Sequence, residues 1–269
     1  MYFLHIKFPQ TYPSIQPYLP PTMPTKKRCL LWDWTNTAHA PAAMSKIDFS
    51  GPLSSVANWN TWPPPELRAR APFRPTVRAP AQLAGEDWSN VLGSTEPIVH
   101  FFNEPERAGV VAASAAGAWR ALMLPLRTGG GKKLVGPSCA GDAAGEAWLA
   151  EFMAGVKGEE PDFLGLHYYG TEAEAAIRYI EEMHAKYPGL PVIVSEIACI
   201  SRRKEEVFAF TARVANWMDE TEWVFEYAFF GCMREVADGF VSPEAQLMDK
   251  EGGFTELMGK LMTEQPIRV

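Results

Sequence analysis

The sequence predicts an α/β fold, a single shortened (β/α)8 TIM-type barrel, and three observations carry that prediction. From residue 28 onward, eight short runs of aliphatic, β-branched or aromatic residues recur along the chain. Four stretches with apolar residues at helical spacing separate the later runs, and strand–helix alternation of this kind builds a parallel sheet. The chain has 269 residues and is 47% hydrophobic, enough for one core of the size that barrels of ~250 residues enclose.

The strand candidates, in order, are RCLLWDW (28–34), SVANWNTW (55–62), FRPTVRAP (73–80), EPIVHFFNE (96–104), KKLVGPSC (132–139), PDFLGLHYYG (161–170), LPVIVSEIA (190–198) and EWVFEYAFFG (222–231). Residues 109–126 carry Trp119, Leu122 and Leu126 on one face, and residues 143–154 carry Trp148 and Phe152. Residues 172–187 carry Ile177, Ile180 and His184, and residues 204–218 carry Val207, Phe210, Val214 and Trp217. Such amphipathic faces cover a sheet. The front half is less regular. Pro63, Pro64, Pro65, Pro72, Pro75 and Pro80 bar a full helix between the second and third strands, because an interior proline costs about 3 kcal/mol. The expected organisation is a Pro-rich arm over 1–27 and one barrel domain over 28–265.

Composition narrows the partners. The net charge is −7 and no basic cluster is large enough to track a phosphate backbone, so nucleic acid is not expected. There is no run of 18 apolar residues, so no membrane span is expected. Cys29, Cys139, Cys199 and Cys232 lie far apart without CxxC spacing, so they read as small buried thiols and not as zinc ligands. No metal or cofactor is expected. The opening MYFLHI is too short for the apolar core of a signal peptide, and the sequence leaves localisation open.

In a barrel of this class the active site lies at the C-terminal ends of the strands. Those ends here bring Asp33-Trp34, Asn60 to Trp62, Arg78, Asn103-Glu104, Ser138-Cys139, His167 to Tyr169, Ser195-Glu196 and Phe229-Phe230. There is no GxSxG elbow, HExxH, Walker loop or GxGxxG fingerprint. Two strand-end carboxylates suit glycoside hydrolysis, where one carboxyl protonates the leaving oxygen and the other attacks or activates water. Strands four and seven lie on opposite sides of an eight-strand ring, so Glu104 and Glu196 can face each other across its mouth. Taken singly, Glu104 also reads as an acid at a helix N-terminus ahead of Pro105, and Glu196 as the partner of a nearby arginine. His167 and Tyr169 are alternate residues of one strand, so both can point into the mouth. Trp34 and Trp62 are the tryptophans expected to line a sugar cleft, since indole stacks on the C–H faces of sugar rings. Trp119, Trp148 and Trp217 read as core.

The motifs FFNEPE, LHYYG, VSEIA and EYAFFG, in this order, resemble glycoside hydrolase family 128, a family of short (β/α)8 enzymes in a large retaining clan. ANWMDET, ADGFVSPEAQLMD and FTELM resemble its fungal branch, and the likeness runs from about residue 28 to residue 262. The resemblance implies β-1,3-glucan or laminari-oligosaccharides as substrate, Glu104 as general acid/base and Glu196 as nucleophile. It also implies Asn103 bonding the 2-hydroxyl of the reacting glucose and Tyr169 orienting Glu196. Where related enzymes often carry a tryptophan after strand eight, this chain offers Phe229 or Phe230. Either endo or exo cleavage fits the sequence, a monomer is expected for a polymer substrate, and a fungal cell-wall role is what the family suggests. The alternative is a barrel that binds β-1,3-glucan oligosaccharides without cleaving them.

Overall fold

The computed structural model describes residues 26–269, so nearly all of the expected N-terminal arm lies outside the described residues. Eight strands follow in order: β1 (Arg28–Leu31), β2 (Leu53–Ala57), β3 (Thr76–Val77), β4 (Ile98–Phe101), β5 (Lys133–Val135), β6 (Leu164–Gly170), β7 (Val192–Cys199) and β8 (Val224–Phe229). Each lies within a predicted run or overlaps it. They form two parallel ribbons, β2-β1-β8-β7-β6 and β3-β4-β5. Bridges at Val56–Phe73, Val135–Phe163 and Cys139–Leu166 join the ribbons into a closed ring. The first four strands are short and almost wholly buried, as strands covered inside and out must be.

The link from β2 to β3 contains only a short 3-10 turn, Pro65–Leu67, as its prolines predict. The four predicted helices are present, at Ala143–Gly155, Ala173–Lys186, Lys204–Glu220 and, in broken form, over 112–130. The break has a cause in the sequence. Pro125 has no N–H to donate and its ring crowds the carbonyl four residues back. The helix therefore widens to a π turn at Trp119–Met123 before resuming at Leu124–Gly130. Three α-helices were not anticipated: the single turn Asn36–His39, Gly85–Gly93, which buries fully only Val91, and Glu256–Thr263, capped by the Thr255 hydroxyl. All three are shorter than the window over which helical periodicity registers.

Aromatic packing fixes the helices to the barrel. Phe101 of β4 meets Trp119 at 5.4 Å, Trp119 meets Phe152 at 5.8 Å, and Trp148 stacks on Phe152 at 5.8 Å. Edge-to-face and stacked contacts like these add to the gain from burial alone. At the floor of the barrel Arg74 makes a two-pronged pair with Glu226, at 3.0 and 2.8 Å, while the hydroxyls of Ser54 and Ser55 also donate to Glu226. This buried cluster ties the segment entering β3 to β8. All four cysteines are free and buried. No helix among the described residues is long and apolar enough to cross a membrane.

Candidate active site

The ends of β4, β6 and β7 bring Glu104, His167 and Glu196 together. One carboxylate oxygen from each glutamate and one His167 ring nitrogen all lie within 4.8 Å of one another. His167 is fully buried. Its Nδ1 is 3.0 Å from Glu104 Oε1, and its Nε2 is 3.1 Å from Ser195 Oγ and 3.6 Å from Glu196 Oε1.

A β-bulge makes that last pair of contacts possible. Successive side chains of a regular strand point to opposite faces, yet Ser195 and Glu196 reach the same ring nitrogen. The pairing explains it. Leu166 and His167 of β6 face Val194 and Glu196, and Tyr227 and Phe229 of β8 face Val194 and Ile197. Relative to both neighbours, β7 holds one extra residue at this point, which re-aims its side chains.

Glu196 is buried and fully engaged. The Trp59 indole N–H donates to Oε1 at 2.6 Å and the Tyr169 hydroxyl donates to Oε2 at 2.7 Å. Two hydrogen bonds of this kind fix the orientation of the carboxylate. Burial first, and then the charge of Glu196, push the Tyr169 phenol well above its ordinary value, so it stays a donor. Burial alone would raise the Glu104 carboxyl. The hydrogen bond and charge of His167, helped by Arg107, outweigh it and hold Glu104 below the usual range. Burial alone would lower His167, but Glu196 and then Glu104 outweigh it and raise the imidazole.

The backbone at the site is unusual. Trp59, Phe102 and Glu104 have φ of 58°, 46° and 42°, in the left-handed region where a residue with a Cβ costs on the order of 1–3 kcal/mol. Around β4 the backbone is pinned by carbonyls. The Phe102 N–H donates to Val77, that of Asn103 to Arg78 and that of Glu104 to Ser138. Asn103 is half-buried and shares a small enclosed space with Trp59, Ser138 and Glu196.

The aromatic candidates divide. Phe230 packs edge-on against Trp59 at 5.6 Å and Tyr169 at 5.8 Å and borders the open depression beside the carboxylates. Phe229 is buried in the core against Tyr227. Trp34 is 40% exposed, 6.3 Å from Trp59, with the Arg78 guanidinium over its ring at 5.1 Å. Trp62 does not join the carboxylates. It lies in a separate depression with Thr61, Pro63, Phe73 and Asn90, because the left-handed turn at Trp59 delivers that indole to Glu196 instead. Trp59, Ser138 and Ser195 were not singled out from the sequence. A strained turn and a bulge leave no periodic signal, although both serines stand at predicted strand ends.

The spacing of Glu104, His167 and Glu196 is also one at which a cation can be held. Here Glu104 is bonded to His167, and Glu196 accepts from Trp59 and Tyr169.

Comparison with known proteins identifies the family. The model of the glycosyl hydrolase catalytic core matches residues 32–260. The fold superposes with a TM-score of 0.90 on a family 128 (subgroup VI) exo-β-1,3-glucanase from Aureobasidium namibiae. That enzyme is 54% identical over 91% of this chain and 99% of its own. A family 128 (subgroup V) exo-β-1,3-glucanase from Cryptococcus neoformans shares the fold, with a TM-score of 0.73 and 24% identity over 88% of this chain and 98% of its own. Alkali-sensitive linkage protein 1 of Schizosaccharomyces pombe is 30% identical over 175 residues, 63% of this chain, which spans only about a third (32%) of that relative's length. A catalytic-core match over most of the chain and 54% identity to a solved member place it without ambiguity: the chain belongs to glycoside hydrolase family 128 and is a glycoside hydrolase.

Proposed function

We propose that the protein is a retaining, exo-acting hydrolase of β-1,3-glucan or its oligosaccharides, with Glu196 as nucleophile and Glu104 as general acid/base. The observation that carries the mechanism is the approach of carboxylate oxygens to within 4.8 Å across the barrel mouth. Retaining enzymes hold the pair ~5–5.5 Å apart, whereas inverting enzymes need ~6.5–9.5 Å to fit a water between. The substrate is carried over from the 54% identical Aureobasidium enzyme. Exo action is favoured by that same relative and by the asymmetry of the site. The depression beside the carboxylates is bounded by residues that follow β4 to β8, and by none that follow β1, β2 or β3.

In the first step a Glu196 oxygen bonds to the anomeric carbon as the glycosidic C–O bond breaks, and Glu104 gives its proton to the leaving oxygen. In the second, water bonds to that carbon, its proton returns to Glu104, and the ester to Glu196 is cleaved. Asn103 bonds the 2-hydroxyl of the reacting glucose. His167 keeps the proton count. Ser195 Oγ donates to Ser138 Oγ at 2.8 Å, so it accepts from His167 Nε2–H, and Nδ1 is left to share one proton with Glu104. At rest the raised imidazole and lowered carboxyl put that proton on His167. Charge developing on the leaving oxygen draws it across through Glu104.

Laminari-oligosaccharide turnover followed by proton NMR tests the reading. The first product is expected to be a β-anomer, released from one chain end. An initial α-anomer excludes retention, a ladder of internal fragments excludes exo action, and binding without new reducing ends replaces hydrolysis by carbohydrate binding.

A further inference from the structure

We infer that Phe240, on the segment after β8, is the platform that receives the leaving sugar, and that Arg202 is the residue that positions it. This inference rests on the functional reading above. Phe240 is 53% exposed and borders the same depression as both carboxylates, together with Arg107 and Asp142. Its ring meets Tyr169 edge-on, with centroids 5.5 Å apart at 61°, and Tyr169 is the donor to Glu196. A large apolar ring exposed to water at the rim of a reactive site is unfavourable unless something covers it.

The segment is held from two sides. The Arg202 guanidinium donates to the carbonyls of Gly239, Phe240 and Val241. Asp238 Oδ1 accepts from the N–H groups of Phe240 and Val241 at 2.7 and 3.1 Å. Beyond them the Ser242 hydroxyl donates to the Ser201 carbonyl. The ring is thus placed before any ligand arrives, and the ordering cost that a free side chain would incur on binding is already met. A β-glucosyl unit carries its ring C–H bonds axially on both faces, which suits stacking on such a platform.

Position relative to the carboxylates identifies the sugar. The Asn103 N–H donates to the Arg78 carbonyl after β3, the Arg78 guanidinium lies over Trp34 after β1, and Trp34 meets Trp59 after β2. A glucose whose 2-hydroxyl meets Asn103 therefore lies towards the β1–β3 side. The flank formed by Phe240, Phe230 and Arg107 then takes the unit on the far side of the scissile bond.

The test compares two substrates. Laminaritriose places a glucosyl leaving group on this flank, whereas β-glucosyl fluoride leaves it empty. Phe240→Ala is expected to lower kcat/KM on laminaritriose about tenfold, mainly through KM, and to leave β-glucosyl fluoride turnover unchanged. Phe240→Trp is expected to restore the lost activity. Arg202→Ala is expected to reproduce part of the loss, again sparing the fluoride. Equal turnover of laminaritriose by Phe240→Ala and wild type overturns the inference, and so does parallel loss on both substrates, which marks a merely structural role. Calorimetric binding of laminaribiose separates this inference from the functional reading. A wild type that binds but cleaves neither substrate refutes hydrolysis, while an unchanged affinity in Phe240→Ala refutes the platform whatever the turnover.

Discussion

The two ribbons of the barrel are built differently. β6, β7 and β8 span seven, eight and six residues, whereas β3, β4 and β5 span two, four and three. The long-stranded half supplies Glu196, His167 and Tyr169. The short-stranded half supplies Glu104 and Asn103, and holds them by left-handed backbone at Phe102 and Glu104 and by scattered carbonyl contacts. Long ladders thus fix one carboxyl, while the other is fixed by side chains that cross the ring. His167 reaches Glu104 at the mouth, and Arg74 reaches Glu226 at the floor. A reaction that needs two carboxyls at a set distance therefore depends on these two clips as well as on the sheet.

The sharpest way to break this comparison is at the long-stranded half. Glu196→Gln is expected to lower kcat on laminaritriose by roughly three orders of magnitude or more, since an amide cannot form the covalent intermediate. Wild-type turnover by this variant would remove the nucleophile from β7. Glu104→Gln comes next. It is expected to cost roughly 10²–10⁴-fold on laminaritriose, the usual worth of general acid–base catalysis, and much less in the first step on β-glucosyl fluoride, whose leaving group needs little protonation. Equal losses on both substrates would contradict the acid assignment.

The floor clip is tested by stability. Arg74→Met leaves the buried Glu226 carboxylate with only serine hydroxyls, and removing one partner of a buried pair costs about 3–5 kcal/mol. Urea denaturation measures it. The exposed Arg213–Glu174 pair is the control, since Arg213→Ala should change stability by less than about 1 kcal/mol. The mouth clip is tested by pH. The proton shared by Glu104 and His167 leaves as pH rises through the raised imidazole value, so activity falls on the alkaline side. His167→Asn confines that proton to Glu104, and the alkaline limb is expected to move to lower pH. An unmoved limb would show that His167 holds no catalytic proton.

Much of this was legible in the sequence, for reasons that also mark the limit. Eight apolar runs gave eight strands, and the ends of the fourth, sixth and seventh place Glu104, His167, Tyr169 and Glu196 where alternation and barrel topology require. Trp62 and Trp59 show where such reasoning stops. Both follow β2, and only the left-handed turn at Trp59 decides which indole meets the carboxylate. Ser195 shows the same limit, since regular alternation cannot turn both it and Glu196 to His167. The helix over Gly85–Gly93 escaped because its nine residues are fewer than the window over which an apolar stripe can be told from chance.

The extra residue in β7 has one more consequence. Because a strand's side chains repeat every two residues, the protein's chemistry is a matter of phase. Removing Ser195 would set Glu196 directly after Val194, still opposite His167, and give β6 an unbroken partner. The carboxylate would keep its place at the mouth, but the hydroxyl that meets His167 Nε2 at 3.1 Å would be gone. The extra residue thus lets one strand turn two polar side chains to a single imidazole, which a strict repeat of two forbids.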